Sequence, residues 1–179
     1  MKKNFLIRQY LSDKKMSIRH NYLSEQFQNS KKIFNLIDDV VKFNDFTLGR
    51  YVEKFEKEFC KYQKTKYAIG VGSGTDAIFL SLKALGIKEG DEVLTPTYSF
   101  YATAGAIATT GAKPVFVDVK NDLNIDEHKI EQKITKKTKA IVPVHWSGRV
   151  CEMEKILKIA KKYELFVVED ACHAILAHD

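Results

Sequence analysis

The chain has 179 residues, 45% of them apolar and 29% charged, with a net charge of +6. Those are the proportions of an ordinary soluble globular protein of about one domain, with enough apolar matter for a core. No run of about 18 apolar residues is present, so no transmembrane helix is expected.

The charge is uneven. Residues 1–66 hold 15 Lys and Arg against 8 Asp and Glu, a balance of +7, whereas residues 67–179 hold 14 against 15, a balance of −1. The basic lysines alternate with acids, as in Glu53-Lys54-Phe55-Glu56-Lys57-Glu58, which is a solvated helix face. With no RNA- or DNA-binding motif present, nucleic acid is not an expected partner. The N-terminus, Met1-Lys2-Lys3-Asn4-Phe5-Leu6-Ile7-Arg8, begins like a signal peptide, but its apolar part is too short for an h-region. Cys60, Cys151 and Cys172 are an odd number without paired spacing. Free thiols and a cytoplasmic location are the expectation.

In chain order, residues 1–20 are polar and basic without a period and read as an N-terminal arm. The apolar residues Leu23, Phe27, Ile33, Phe34, Ile37, Val40 and Val41 predict a helix over 22–42, broken by Asn44-Asp45. Val52, Phe55, Phe59 and Tyr62 predict a second helix over about 51–62. The apolar triplet Tyr67-Ala68-Ile69 reads as a strand entering the glycine-rich turn Gly70-Val71-Gly72-Ser73-Gly74-Thr75-Asp76-Ala77. A helix over about 75–85 follows that turn. Then come a strand at Glu92-Val93-Leu94-Thr95 and a helix over about 99–109 closed by Gly111. The next strand is Pro114-Val115-Phe116-Val117-Asp118, and Asp126 caps a short helix to about Lys133. A strand at Ala140-Ile141-Val142-Pro143-Val144 precedes a helix bearing Val150, Met153, Ile156, Leu157 and Ala160. The last strand, Leu165-Phe166-Val167-Val168, runs into Glu169-Asp170. Strands alternating with helices predict an α/β fold, a mostly parallel sheet flanked by helices, with any ligand at the carboxyl ends of the strands.

Four chemistries compete for those strand ends. Gly72-Ser73-Gly74-Thr75-Asp76-Ala77 fits G-x-G-x-x-G/A literally, yet the next strand ends in Thr95-Pro96 rather than in the acid that a dinucleotide's ribose needs. Asp170, Cys172, His173, His178 and Asp179 cluster without a zinc spacing and read as the polar end of a strand. No nucleophile motif appears; Cys151 and Cys172 read as small buried residues, and His145 as a packed or hydrogen-bonded one. A pyridoxal phosphate site needs an anion cradle, an aromatic face and a carboxylate at the pyridine nitrogen. Gly74-Thr75-Asp76 at a helix start, Phe100 and Asp170 supply these in order.

The sequence resembles the DegT/DnrJ-type nucleotide-sugar aminotransferases of the aspartate-aminotransferase-like fold. The resemblance rests on Asp45-Phe46-Thr47-Leu48-Gly49, Val71-Gly72-Ser73-Gly74-Thr75-Asp76-Ala77, Gly90-Asp91-Glu92-Val93 and Ser99-Phe100-Tyr101-Ala102-Thr103. It continues through Gly111-Ala112-Lys113-Pro114-Val115-Phe116-Val117-Asp118, Thr138-Lys139-Ala140-Ile141-Val142-Pro143-Val144-His145 and Val168-Glu169-Asp170-Ala171, and covers nearly all of residues 20–175. The resemblance implies a three-layer, PLP-dependent transferase large domain over residues 21–179. It also implies pyridoxal 5'-phosphate as cofactor, an amino donor such as glutamate, a nucleotide-linked keto-sugar as acceptor, and a homodimer. It places the cofactor phosphate at Gly74, Thr75 and Asp76, the stacking ring at Phe100, the carboxylate at Asp170, and His173 near the phenolic oxygen. Two departures stand out. The family usually has glycine where Leu176 stands, and its Schiff-base lysine falls beyond residue 179. The expectation is therefore the first half of a protein about twice as long. That half would lack the small C-terminal domain, be unable to complete a transamination alone, and be poorly soluble through an exposed sheet edge. A dinucleotide-dependent sugar oxidoreductase and a non-catalytic regulatory relative are the alternatives.

Overall fold

The computed structural model describes residues 23–177. The expected arm at 1–20 and the residues His178 and Asp179 lie outside it. The chain divides into two units, one reaching to Glu53 and one beginning at Lys54.

In the first unit the helix expected over 22–42 is two helices, α1 (Leu23–Gln26) and α2 (Ser30–Lys42), parted at 27–29. Asn29 at the start of α2 gives no side-chain cap. Asn44 ends the segment in the left-handed region, φ 53°, as its Asn-Asp pair suggests. The start of α3 (Arg50–Gln63) is fixed from this side. Asp45 Oδ2 accepts from Arg50 N at 3.1 Å, and Tyr51 Oη donates to Asp39 at 3.3 Å.

The second unit carries the sheet. It holds α4 (Gly74–Ala84), β1 (Glu92–Pro96), α5 (Tyr101–Thr109), β2 (Lys113–Val117), α6 (Glu127–Ile130), β3 (Thr138–Ile141), α7 (Met153–Lys162) and β4 (Phe166–Val167). All ladders are parallel, in the order β2-β1-β3-β4. Side chains alternate across the sheet, as the period of two demands. Val93, Ala140 and Val142 pack against Ile78 and Leu82 of α4 and Ala106 and Ile107 of α5. Leu94, Ile141 and Val117 pack on the other face against Ile130 of α6 and Met153, Ile156 and Ala160 of α7. The result is helix, sheet, helix. Each fully buried Leu or Ile in these two layers contributes about 1.5–3 kcal/mol.

One expected strand is absent. Tyr67 and Ile69 are 73% and 82% exposed, and 65–73 is irregular. A strand exists only by pairing, and none of the four described strands pairs with this triplet. Its backbone is tied instead by Gly70 N, which donates to Glu56 Oε1 at 2.7 Å. β3 also ends earlier than expected, at Ile141, because Pro143 has no N–H to give. The chain nevertheless stays extended beside the one after β4. Asp170 N donates to Pro143 O at 2.9 Å and His145 N to Asp170 O at 3.1 Å.

The order β2-β1-β3 places the reversal of winding between β1 and β3. Two connections leave in opposite directions there, which opens a crevice at the carboxyl ends.

Candidate active site

The glycine-rich turn ends in a helix cap. Ser73 is extended (φ −161°, ψ 167°), and its Oγ accepts from Asp76 N at 3.1 Å. Ser73 Oγ also donates to Asp76 Oδ2 at 2.9 Å. Such a reciprocal pair holds the first turn of α4 closed on itself. It consumes the N–H of Asp76 but not those of Gly74 and Thr75, which have no partner among the described residues. Two free donors at the positive end of an 11-residue helix form an anion cradle.

Gly74 and Thr75 line a cavity of about 290 Å³ together with Phe100, Thr103, His145, Trp146, Asp170, Cys172 and His173. Of the six residues expected at the site, Gly74, Thr75, Phe100, Asp170 and His173 meet here. Asp76 does not line the cavity; its carboxylate is turned onto Ser73.

Phe100 is the N-cap of α5, extended at φ −63° and ψ 140°, so its ring stands clear of the helix at 64% exposed. One turn on, Thr103 is buried, and its Oγ1 donates to Asp170 Oδ2 at 2.9 Å. Cys172 N points to Asp170 Oδ1 at 3.4 Å. Asp170 is 8% exposed and has no cationic partner among the described residues. A buried carboxylate in that condition fits a protonated ring nitrogen brought by a ligand. The donor set as a whole therefore suits a ligand with an anionic group at one end and a cationic heteroaromatic ring at the other.

His145 is the most enclosed of the polar side chains in this wall after Thr103, 3% exposed. Its Nδ1 accepts from Cys151 N at 3.2 Å and its Nε2 lies 2.8 Å from Glu169 Oε2. An Nδ1 that accepts leaves the proton on Nε2, directed at Glu169. This bond from His145 holds the Glu169 carboxyl below its ordinary range against the opposing effect of burial. Trp146 meets Tyr98 edge-on at 4.8 Å and His173 at 5.7 Å.

Cys172 is exposed rather than buried, which corrects the reading from sequence; its position on the loop after β4 carries it to the cavity rim. The hydrogen bond to Asp170, with burial, pushes its thiol up to about 11. Burial pushes Cys151 up to about 12. Neither is a ready nucleophile at neutral pH. Among the described residues no three His, Cys, Asp or Glu side chains are placed to hold a metal ion, and no helix is long and apolar enough to cross a membrane.

The profile of the DegT/DnrJ/EryC1/StrS aminotransferase family matches residues 28–179. The chain belongs to this family. Among similar DegT/DnrJ/EryC1/StrS members, a pleiotropic regulatory protein of Geobacillus stearothermophilus is 48% identical over 155 residues, 86% of this chain and 42% of that protein. A GDP-perosamine synthase of Escherichia coli O157:H7 is 49% identical over 127 residues, 70% of this chain and 35% of that protein. The crystal structure of NtdA from Bacillus subtilis with bound cofactor PMP superposes with a TM-score of 0.82 at 40% identity, covering 91% of this chain and 38% of that one. The chain thus spans well under half the length of these relatives, and its fold is that of PLP-dependent aminotransferases.

Thr103, Trp146 and Ser73 were not singled out by sequence. A signal existed for two of them. Phe100 and Thr103 are three apart, hence on one helix face, and Ser73-x-x-Asp76 is a capping-box spacing. Trp146 stands with His145, Ser147 and Gly148 at a strand's carboxyl end, where ligands are expected, but nothing marked it out from those neighbours.

Proposed function

We propose that the chain supplies the cofactor-binding part of an aminotransferase that uses pyridoxal phosphate to move an amino group from a donor such as glutamate to the keto group of a nucleotide-linked sugar. The observation that carries the proposal is one cavity holding the N–H groups of Gly74 and Thr75 and the buried Asp170, none of them partnered by a counter-group such as a phosphate or a cation among the described residues, with the open ring of Phe100. Relatives named as amino-sugar transaminases and synthases support the substrate class.

When bound, pyridoxal phosphate supplies an electron sink for the reacting carbon. The chain's own residues orient it. The N–H groups of Gly74 and Thr75, with the Thr75 hydroxyl, hold the phosphate, and Asp76 keeps that turn in shape through Ser73. Phe100 covers a ring face. Asp170 holds a proton on the ring nitrogen, and Thr103 keeps Asp170 in place. His173, at the rim, donates to the phenolic oxygen. No lysine lines the cavity among the described residues, so the Schiff-base lysine must come from elsewhere. In this reading a chain without that lysine at the cavity does not complete amino transfer. Residues 21–179 form part of the large domain of a cytoplasmic homodimer in this reading.

The test is to add pyridoxal phosphate to the chain with inorganic phosphate as competitor, and to assay amino transfer from glutamate. Saturable binding relieved by phosphate, without turnover, supports the proposal. Turnover with a borohydride-reducible lysine adduct within residues 1–179 overturns the assignment of the lysine. Binding indifferent to phosphate overturns the cradle.

A further inference from the structure

Asn124, in the loop between β2 and α6, is fully buried although polar. All three bonds of its carboxamide go to one stretch of chain. Oδ1 accepts from Trp146 N at 2.9 Å, and Nδ2 donates to Arg149 O at 3.1 Å and Val150 O at 3.2 Å. Its own backbone is pinned, with N donating to Asp122 Oδ1 at 3.1 Å and O accepting from Lys120 N at 2.9 Å. One fixed amide thus grips both ends of the turn 146–150.

The turn has two backbone bonds of its own, Arg149 N to Trp146 O at 3.0 Å and Gly148 N to His145 O at 3.3 Å, but it also carries strain. Ser147 lies in the left-handed region at φ 53°, which costs energy for a residue with a Cβ and persists only when its surroundings impose it, while Gly148 beside it takes φ +83° freely. The cavity wall rides on this turn. Trp146 is its first residue and packs edge-on against Tyr98 and His173, and His145 immediately precedes it. Asn124 itself does not line the cavity.

We propose that Asn124 is a positioning residue. By gripping the turn through Trp146 N and the Arg149 and Val150 carbonyls, it sets the Trp146 wall of the cavity and so the affinity for the cofactor. The effect on affinity rests on the reading of the cavity as a pyridoxal phosphate site; the effect on Trp146 does not.

Trp146 is the only tryptophan in the chain, so its emission reports this wall alone. Asn124→Asp keeps the acceptor for Trp146 N but sets a carboxylate against two carbonyl oxygens. Ile130→Val, in the same layer and equally buried, removes a methyl without touching the turn. Asn124→Asp is expected to shift Trp146 emission and to weaken pyridoxal phosphate about tenfold, while Ile130→Val leaves both unchanged. In the unaltered chain the Trp146 amide is expected to resist hydrogen exchange. The proposal is overturned by unchanged emission in Asn124→Asp, by an equal shift in Ile130→Val, or by a Trp146 amide that exchanges as freely as an open loop. A shift with unchanged affinity overturns the link to the cofactor. If the unaltered chain binds no pyridoxal phosphate, the functional reading fails, and the emission and exchange results still decide the role of Asn124.

Discussion

Thr103 on α5 and Asp170 beyond β4 are joined by a buried hydrogen bond of 2.9 Å, Thr103 Oγ1 to Asp170 Oδ2. The bond ties the helix that begins with Phe100 to the carboxylate of the cavity, and so fixes the ring and the charge relative to each other.

Removing that donor should be costly. Thr103→Val keeps the shape and leaves Asp170 Oδ2 buried without a partner, which costs about 1–3 kcal/mol. Urea unfolding should show that loss, and Thr103→Ser, which retains the hydroxyl, should show much less. Equal losses in the two variants would mean that the methyl, not the hydroxyl, matters.

Gly148 is at φ +83°, and a Cβ there would stand 3.1 Å from His173 O. Gly148→Ala therefore combines backbone strain with pressure on the segment carrying His173. A loss of roughly 1–2 kcal/mol is expected. Ser147→Gly, relieving the neighbouring φ of 53°, should not destabilise. The two unfolding midpoints should move apart.

Glu127 gives stability a sign with pH. Burial alone would raise its carboxyl. The Lys155 bond at 2.9 Å, its own backbone and the charge of Lys120, 3.1 Å from Oε2, outweigh burial and hold it down at about 2. A depressed folded value means the stabilisation is complete above the unfolded value near about 4.3 and is lost as pH falls toward about 2. Asp118, held down by Lys129, and Glu169, held down by His145, act in the same direction. Unfolding midpoints should be flat from neutral pH to about 5 and fall below that. Glu127→Gln should lower the plateau and soften the fall.

The tautomer of His145 is open to direct observation. Nitrogen NMR should find Nδ1 bare and Nε2 protonated, as the bonds from Cys151 N and to Glu169 require. In Glu169→Gln the same tautomer should persist with weaker protection of Nε2–H. A proton on Nδ1 in the unaltered chain would contradict the geometry.

Much of this was legible in the sequence because it depends on local period and on punctuation. The α/β alternation follows from apolar spacing. Gly86, Gly90 and Gly111 stand at positive φ where the connections turn. Gly74, Phe100 and Asp170 could be picked out as candidates because each sits at a helix start or a strand end, where chain direction puts ligands, and the structure brings them to one cavity. The lack of a strand at 67–69 was not legible, because pairing is decided by a neighbour and not by Tyr67-Ala68-Ile69 itself. Thr103 to Asp170 and Asn124 to Trp146 are bonds between distant segments, and no spacing announces them. Asp76 is a different case. Its capping spacing was visible but was absorbed into the phosphate motif, whereas the carboxylate serves Ser73. A Cβ at Gly72 would come within 2.9 Å of that carboxylate, so this glycine makes room for the cap. Leu176, where the resemblance calls for glycine, is at φ 62°. The backbone keeps a glycine-like conformation under a leucine.

The central claim, that Asp170 and Phe100 grip a cationic ring whose phosphate lies on the α4 N-terminus, is tested most directly by titrating pyridoxal phosphate into the unaltered chain and into Asp170→Ala and Phe100→Ala. Quenching of Trp146 serves as the readout. Saturable binding is expected, weakened about tenfold or more in each variant. Affinity unchanged in both variants, or no saturable binding to the unaltered chain, would contradict it.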